Sequence, residues 1–163
     1  MRQRWFRRYS ANPEGAVEGT VVAAAVIAGE SIVGTDLPRV MGSIAITLTV
    51  YWFTHAYATM LAERMQTASK PAAWRETRAA LFQESTVIES ALPPIVLLFA
   101  LWLADVKADT ALTATLWLCV VDLFMFGWVG ARGTELGRGA RLGYALIAAA
   151  FGLVAVLLKT LLH

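Results

Sequence analysis

Five runs of apolar residues, each about as long as a bilayer is thick, occupy most of this 163-residue chain. A helix needs about 20 mainly apolar residues to cross the hydrocarbon core of a membrane. The runs lie at about residues 16–34, 40–62, 84–104, 111–131 and 140–162. This pattern predicts an all-α polytopic membrane protein, in which a single transmembrane domain forms a bundle of five transmembrane helices.

The composition argues against a soluble protein, because 58% of the residues are hydrophobic and 16% are charged, against roughly 25% charged in an average soluble domain. The net charge of +2 is too small to predict a nucleic-acid partner. Catalytic motifs such as HExxH, paired CxxC or a phosphate-binding glycine loop are not found in the sequence, so an enzyme is not the favoured interpretation. The lone Cys119 cannot form an internal disulfide.

The basic residues predict how the chain is oriented, because cytoplasmic loops are enriched in lysine and arginine. Five alternating crossings place eleven of the 14 basic residues on one side. We therefore predict a multi-pass protein of the cell membrane, with a cytoplasmic N-terminus and an extracytoplasmic C-terminus. The eleven are Arg2, Arg4, Arg7, Arg8, Arg64, Lys70, Arg75, Arg78, Arg132, Arg138 and Arg141, and the other three are Arg39, Lys107 and Lys159.

Two segments depart from a plain spanning helix. Residues 70–88 mix charges with large apolar side chains, a pattern typical of a helix at a membrane surface, so we predict a cytoplasmic interfacial helix between spans 2 and 3. Pro93 and Pro94 fall inside the third run. Since proline removes a backbone donor and clashes with the preceding turn, the third span is predicted to be kinked or broken there.

Ionisable residues inside predicted spans are the candidates for function, because burying them in a membrane is costly. Asp122 falls close to the middle of its run, and His55 lies on a polar side of the second span, where residues repeat at a spacing of four. Such groups can relay protons or bind a cation. If Asp122 and His55 line a path, we predict that they lie within reach of each other, directly or through water, facing away from lipid. They can also form a purely structural hydrogen-bonded seam between helices. The main transport-path candidates are Glu18, His55, Glu89 and Asp122, and the secondary candidates are Glu30, Tyr51, Tyr57 and Glu84.

Small residues recur at four-residue spacing, as in the pairs Gly15 and Gly19, Gly133 and Gly137, and Gly139 and Gly143. Such spacing lets two helices approach closely, within one chain or between two copies. Because five short helices enclose little interior of their own, we predict a homo-oligomer.

Three segments, EGTVVAAAVIAGE (Glu18 to Glu30), YWFTHAYATML (Tyr51 to Leu61) and LLKTLLH (Leu157 to His163), resemble a family of small, functionally uncharacterised actinobacterial multipass membrane proteins. More distantly, GAVEGTVV (Gly15 to Val22) and the five-span layout resemble the vacuolar iron transporter family. That resemblance implies that Glu18 is a translocation carboxylate and that a divalent metal is the substrate. The chain departs from that family in having His55 and Tyr57 in the second span, where the family has a methionine.

These patterns favour a channel or transporter for a cation, either a divalent metal or a proton, in contact with membrane lipid. A metal would be a substrate, and no cofactor is firmly implied. The alternative is a non-transporting accessory or assembly subunit that binds a partner protein or anionic lipid through its basic loops. A third possibility, a membrane enzyme acting on lipid, would have to use Glu84, Glu89 and His55.

Overall fold

The computed structural model describes residues 13–33, 36–67, 85–133 and 137–162, and every regular element within these ranges is helical. The predicted all-α class is therefore confirmed. Most of the predicted interfacial helix at 70–88 lies outside the described residues. The described helices are α1 (Pro13–Val33), α2 (Leu37–Thr67), α3 (Thr86–Ser90), α4 (Leu92–Leu103), α5 (Ala108–Gly130), which ends in a 3-10 turn (Ala131–Gly133), and α6 (Arg138–Leu162).

Three helical segments are long and apolar enough to cross a membrane: Thr86–Leu103, Ala108–Gly130 and Arg138–Leu161. They correspond to α3 with α4, to α5, and to most of α6. Large apolar side chains on these helices point away from the rest of the protein, as Val96, Val121 and Leu157 do. So much exposed apolar surface is typical of helices that face lipid rather than water.

The third run is broken at Ala91, as the two prolines predict. Ala91 lies in a turn between α3 and α4, with φ −88° and ψ −6°, and Pro93 and Pro94 occupy the first turn of α4. Neither proline has an N–H to donate to the preceding turn, so the first helix ends and a second begins where proline is tolerated. The Ala91 N–H donates to the Ile88 carbonyl (3.2 Å), and the Ile95 N–H donates to the Ala91 carbonyl (3.1 Å).

Helix α1 lies at the centre of the bundle and contacts α2, α3, α5 and α6. Its small residues allow this close packing. A Cβ on Gly19 would collide with the Val87 carbonyl oxygen and Ser90 Oγ of α3, so the partner of this glycine is a helix of the same chain. Other buried residues on α1 are Ala16, Thr20, Ala23, Ala24, Ile27 and Ala28.

Helices α5 and α6 form a closely packed antiparallel pair. A Cβ on Gly127 would lie 2.9 Å from Ala145 Cα, and one on Gly152 would lie 2.9 Å from a methyl group of Val120. The inner side of α6 is a stripe of small residues that ends at the buried Lys159. That stripe consists of Ala145, Ala148, Gly152 and Ala155.

Helix α1 runs antiparallel to both α2 and α5. Glu18 and Glu30 of α1 contact His55 and Ser43 of α2, respectively, and Ala16 packs against Phe126 near the end of α5. The starts of α1 and α6 and the ends of α2 and α5 therefore lie at the same end of the bundle.

Candidate functional site

The structure brings two of the main candidates together on neighbouring helices. Glu18, in the second turn of α1, places Oε2 3.6 Å from Nδ1 of His55 on α2, and both side chains are partly exposed. This distance suits an ion pair with a protonated imidazole and is slightly long for a hydrogen bond. Glu18 Oε2 itself is buried and has no hydrogen-bond partner in the described part of the chain.

The His55 ring is held by its own helix. It stacks on the ring of Tyr51, one turn earlier, with the ring centroids 5.9 Å apart and an angle of 24° between the planes. Tyr51 in turn packs against the buried apolar core. The imidazole is therefore positioned by an aromatic neighbour on one side and faces a carboxylate on the other.

Both carboxylate oxygens of Glu30, at the opposite end of α1, contact polar side chains. Its Oε1 accepts a hydrogen bond from Ser43 Oγ at 2.8 Å, and its Oε2 lies 3.8 Å from Nε of the exposed Arg39. The two glutamates that bracket the uncharged centre of α1 thus both contact polar residues of α2.

A line of polar residues on α2 joins these two contacts. Ser43, Thr47, Tyr51 and His55 are spaced four apart, so they lie on one side of the helix. From Ser43 to His55 this line extends about 18 Å at 1.5 Å per residue. We call these four residues, together with Glu18 and Glu30, the polar seam.

A cavity lies at each end of the polar seam. The Glu30 pocket, of about 370 Å³, is lined by Val26, Gly29, Glu30, Ser43, Ile46 and Thr47. The Glu18 groove, of about 500 Å³, is lined by Glu14, Val17, Glu18, Phe126, Gly127, Gly130, Ala131, Tyr144, Ile147, Ala148 and Phe151. Each glutamate therefore has access to space at its own end of the bundle.

The structure shows no direct contact of the predicted kind between Asp122 and His55 in the described part of the chain. Asp122 Oδ2 is buried and has no hydrogen-bond partner among the described residues, and no ion pair joins it to His55 in that part of the chain. Asp122 precedes Phe126 by one turn of α5, and Phe126 packs on Ala16 of α1. Given the antiparallel register, Asp122 lies at about the depth of residue 20 on α1, close to the depth of Glu18.

The remaining candidate residues have different surroundings in the structure. Glu89 accepts a hydrogen bond from Ser85 Oγ at 3.3 Å at the start of α3. Tyr57 is 62% exposed and lies on the side of α2 away from the polar seam, because residues two apart point in nearly opposite directions on a helix. Glu84 lies outside the described residues.

Two polar residues that form hydrogen bonds between helices were not predicted to do so. Ser43, which holds Glu30, continues the four-residue spacing of Thr47 and Tyr51 by one turn, and this spacing could have identified it. Lys159 is buried and donates from Nζ to Asp109 Oδ1 (2.7 Å), Thr113 Oγ1 (2.5 Å) and the Asp109 carbonyl (3.2 Å). Lys159 lies deep in the fifth apolar run, 18 residues after Arg141 at the start of that run, and this isolated charge was the available signal.

Within the described ranges, no three histidine, cysteine, aspartate or glutamate side chains come together in a group that could hold a metal ion. No known protein family, curated protein or solved structure matches the chain. The resemblance to vacuolar iron transporters thus stays a prediction.

Proposed function

We propose that the protein is a membrane transporter that moves a proton or another small cation along the polar seam, with Glu18 and His55 exchanging it. One observation carries this proposal: the 3.6 Å approach of Glu18 Oε2 to His55 Nδ1, with Glu18 on a helix that packs against four others. Titratable groups inside a bundle are costly to bury and usually serve a transport or relay role.

The chemistry of the seam suits a proton best. Imidazole can accept a proton on one nitrogen while donating from the other, and serine, threonine and tyrosine hydroxyls both donate and accept. The seam offers such groups at each turn of α2, between a carboxylate beside the Glu30 pocket and one beside the Glu18 groove. Asp122 adds a second carboxylate at nearly the depth of Glu18, and Glu89 is kept as a further candidate.

A divalent metal remains within the proposal, because the resemblance to vacuolar iron transporters implies one. Carboxylate oxygens and an imidazole nitrogen are ligands for such ions. The homo-oligomer likewise stays a prediction of the small-residue pattern.

The proposal includes five crossings and a cytoplasmic N-terminus. Besides the three apolar segments, α1 and α2 would cross; α2 has 31 residues, or about 46 Å, against a hydrocarbon core of about 30 Å. Arg132, in the 3-10 turn that ends α5, and Arg138 and Arg141, at the start of α6, would face the cytoplasm with the interfacial helix of residues 70–88. A reporter fused after His163 should then report the extracytoplasmic side, and one near Lys70 the cytoplasm.

Flux in reconstituted vesicles tests the function. Purified protein would be placed in vesicles that contain a pH-sensitive dye, with a potassium gradient and valinomycin to drive proton entry, and in a second set with a dye for divalent metals. We expect Glu18→Gln and His55→Gln each to lower proton flux by about tenfold or more, as is usual when a proton-transfer group is removed. Asp105→Asn is the matched control, because Asp105 is exposed in the α4–α5 turn and asparagine tolerates its positive φ of 54°.

The transport proposal fails if the wild-type protein moves neither protons nor divalent metals, or if Glu18→Gln transports as the wild type does. An accessory subunit would then be the better interpretation. That role predicts binding to anionic vesicles or to a partner protein instead of flux.

A further inference from the structure

The Glu18 groove has the size of a small-molecule site. It lies between α1, α5 and α6 at the end of the bundle where α1 begins, and its volume is about 500 Å³. Pockets for drug-sized ligands commonly have volumes of about 300 to 1,000 Å³. A bare proton or metal ion would leave most of this volume unfilled.

The walls of the groove are mainly apolar and aromatic. The apolar and aromatic lining residues include Val17 of α1, Phe126 of α5, and Tyr144, Ile147 and Phe151 of α6. Phe126 is buried, whereas Ile147 and Phe151 are exposed on their outer side. A ligand in the groove would therefore contact aromatic faces and aliphatic side chains, which favour an apolar or aromatic body.

Among the described residues, the charged groups of the lining are both acidic. Glu14 and Glu18 line the groove, and the described part of the lining includes no lysine or arginine. Glu18 Oε2 is buried without a hydrogen-bond partner in the described part of the chain, and its neighbour His55 carries charge only when protonated. A carboxylate in an apolar wall is stabilised by a cation and repels an anion.

We propose that the Glu18 groove binds an amphipathic organic cation, an ammonium or phosphonium ion with an apolar or aromatic body of drug size. The charge sits at Glu18 and the body lies against Phe126 and Phe151, whose ring faces also attract cations. This inference names a substrate class for Glu18 and so rests on the proposed function of that residue. Because one carboxylate neutralises one cation at a time, the organic cation and a proton compete for Glu18.

The probe that tests this is tetraphenylphosphonium, with tetraphenylborate as a molecule of the same shape and opposite charge. Equilibrium dialysis against the purified full-length chain in detergent should show saturable binding of the phosphonium and none of the borate. Glu18→Gln should weaken binding of the phosphonium by about tenfold or more, since a buried charge pair is lost. Ile147→Trp should also weaken binding by filling the groove, and because Ile147 is 60% exposed, the larger side chain does not disturb the core.

Asp105→Asn is the control, because it removes an exposed carboxylate that lies outside the groove. This variant should bind the phosphonium as the wild type does. Equal binding of tetraphenylborate, or unchanged binding by Glu18→Gln, overturns the proposal. Phosphatidylethanolamine should not displace the phosphonium at concentrations below those at which the phosphonium itself binds. If it does, the groove is a lipid site, and the proposal is overturned.

The binding measurement and the flux measurement test the two proposals independently. Proton flux without phosphonium binding would remove the organic cation and leave the proposed function standing. Phosphonium binding that depends on Glu18, without any flux in wild-type vesicles, would remove the proposed transport and leave the groove as a cation-binding site.

Discussion

Helices α1 and α6 are of similar length, but the bundle uses them in opposite ways. Helix α1 carries Glu14, Glu18 and Glu30, and four other helices surround it. Helix α6 turns its small residues inward and its large apolar ones outward, and its one buried charge, Lys159, is bonded to α5. The large apolar residues that α6 exposes include Leu142, Leu146, Phe151, Val154, Leu157 and Leu161.

This contrast follows from the physics of helix association in lipid. Because lipid tails are as apolar as leucine, burying a leucine between helices gains little, and small residues that allow close van der Waals contact become the better interface. Carboxylates cannot face hydrocarbon cheaply, so the helix that bears them is stable only at the centre. Of the two helices compared, the one that carries three carboxylates is therefore the one that packs against four others.

The largest expected effect tests whether the outer side of α6 faces lipid. Val154, which is 52% exposed, would be changed to aspartate. In water such a change on a surface is nearly neutral, whereas near the middle of a bilayer it costs about 3 kcal/mol. We expect Val154→Asp to reduce membrane insertion and thermal stability strongly, measured by the membrane-bound yield and by unfolding in bilayers. Leu161→Asp, near the end of α6, should cost much less, and equal tolerance of both changes would contradict a lipid-facing α6.

The next effect tests the close packing of α1. A Cβ on Gly19 would collide with backbone and side-chain oxygens of α3, whereas a Cβ on Gly29 of the same helix would meet nothing within 4 Å. We expect Gly19→Ala to destabilise the protein by about 2 kcal/mol, as overpacking does. Gly29→Ala should be neutral or stabilise by up to about 1 kcal/mol through helix propensity. Denaturant titration in detergent would measure both, and identical stabilities would argue that α1 does not pack against α3.

The features of the fold and of the candidate site that could be predicted from the sequence are those that depend on residues within one helix. The length of the apolar runs predicted helices, the two prolines predicted a break in the third run, and the four-residue spacing predicted the polar side of α2 that bears His55. Each of these signals depends on residues close in the chain. Pairing His55 with Glu18, instead of with Asp122, depends on which helix occupies the centre, and no pattern in one segment encodes that. Tyr57 was a secondary candidate, yet its position two residues after His55 already placed it on another side of α2.

A smaller effect concerns the one buried charge on α6. Lys159 is almost fully buried, whereas Asp109 is 72% exposed. Removing the carboxylate by Asp109→Ala leaves a buried ammonium with weaker partners, and we expect a loss of about 1 to 2 kcal/mol after allowing for solvent screening of the pair. Lys159→Met leaves an exposed carboxylate and an apolar chain that fits the site, so it should cost less than about 1 kcal/mol. A larger loss for Lys159→Met than for Asp109→Ala, measured by thermal unfolding, would contradict this asymmetry.

The smallest expected change in stability belongs to Asp122→Asn, and it separates the two roles that a carboxylate with a buried oxygen can have. A structural aspartate is held by donors, and losing its charge weakens those hydrogen bonds by about 1 to 3 kcal/mol. Asp122 Oδ2 has no such donor among the described residues. We therefore expect Asp122→Asn to fold with a stability within about 0.5 kcal/mol of the wild type.

If Asp122 belongs to the cation path, the same variant should lose proton flux in vesicles while its stability and assembly remain intact, because asparagine retains the shape and removes the titratable group. A destabilised Asp122→Asn with normal flux per folded molecule would identify a structural aspartate. In that case the proposed path runs along α1 and α2 alone, where Glu18 and His55 face each other.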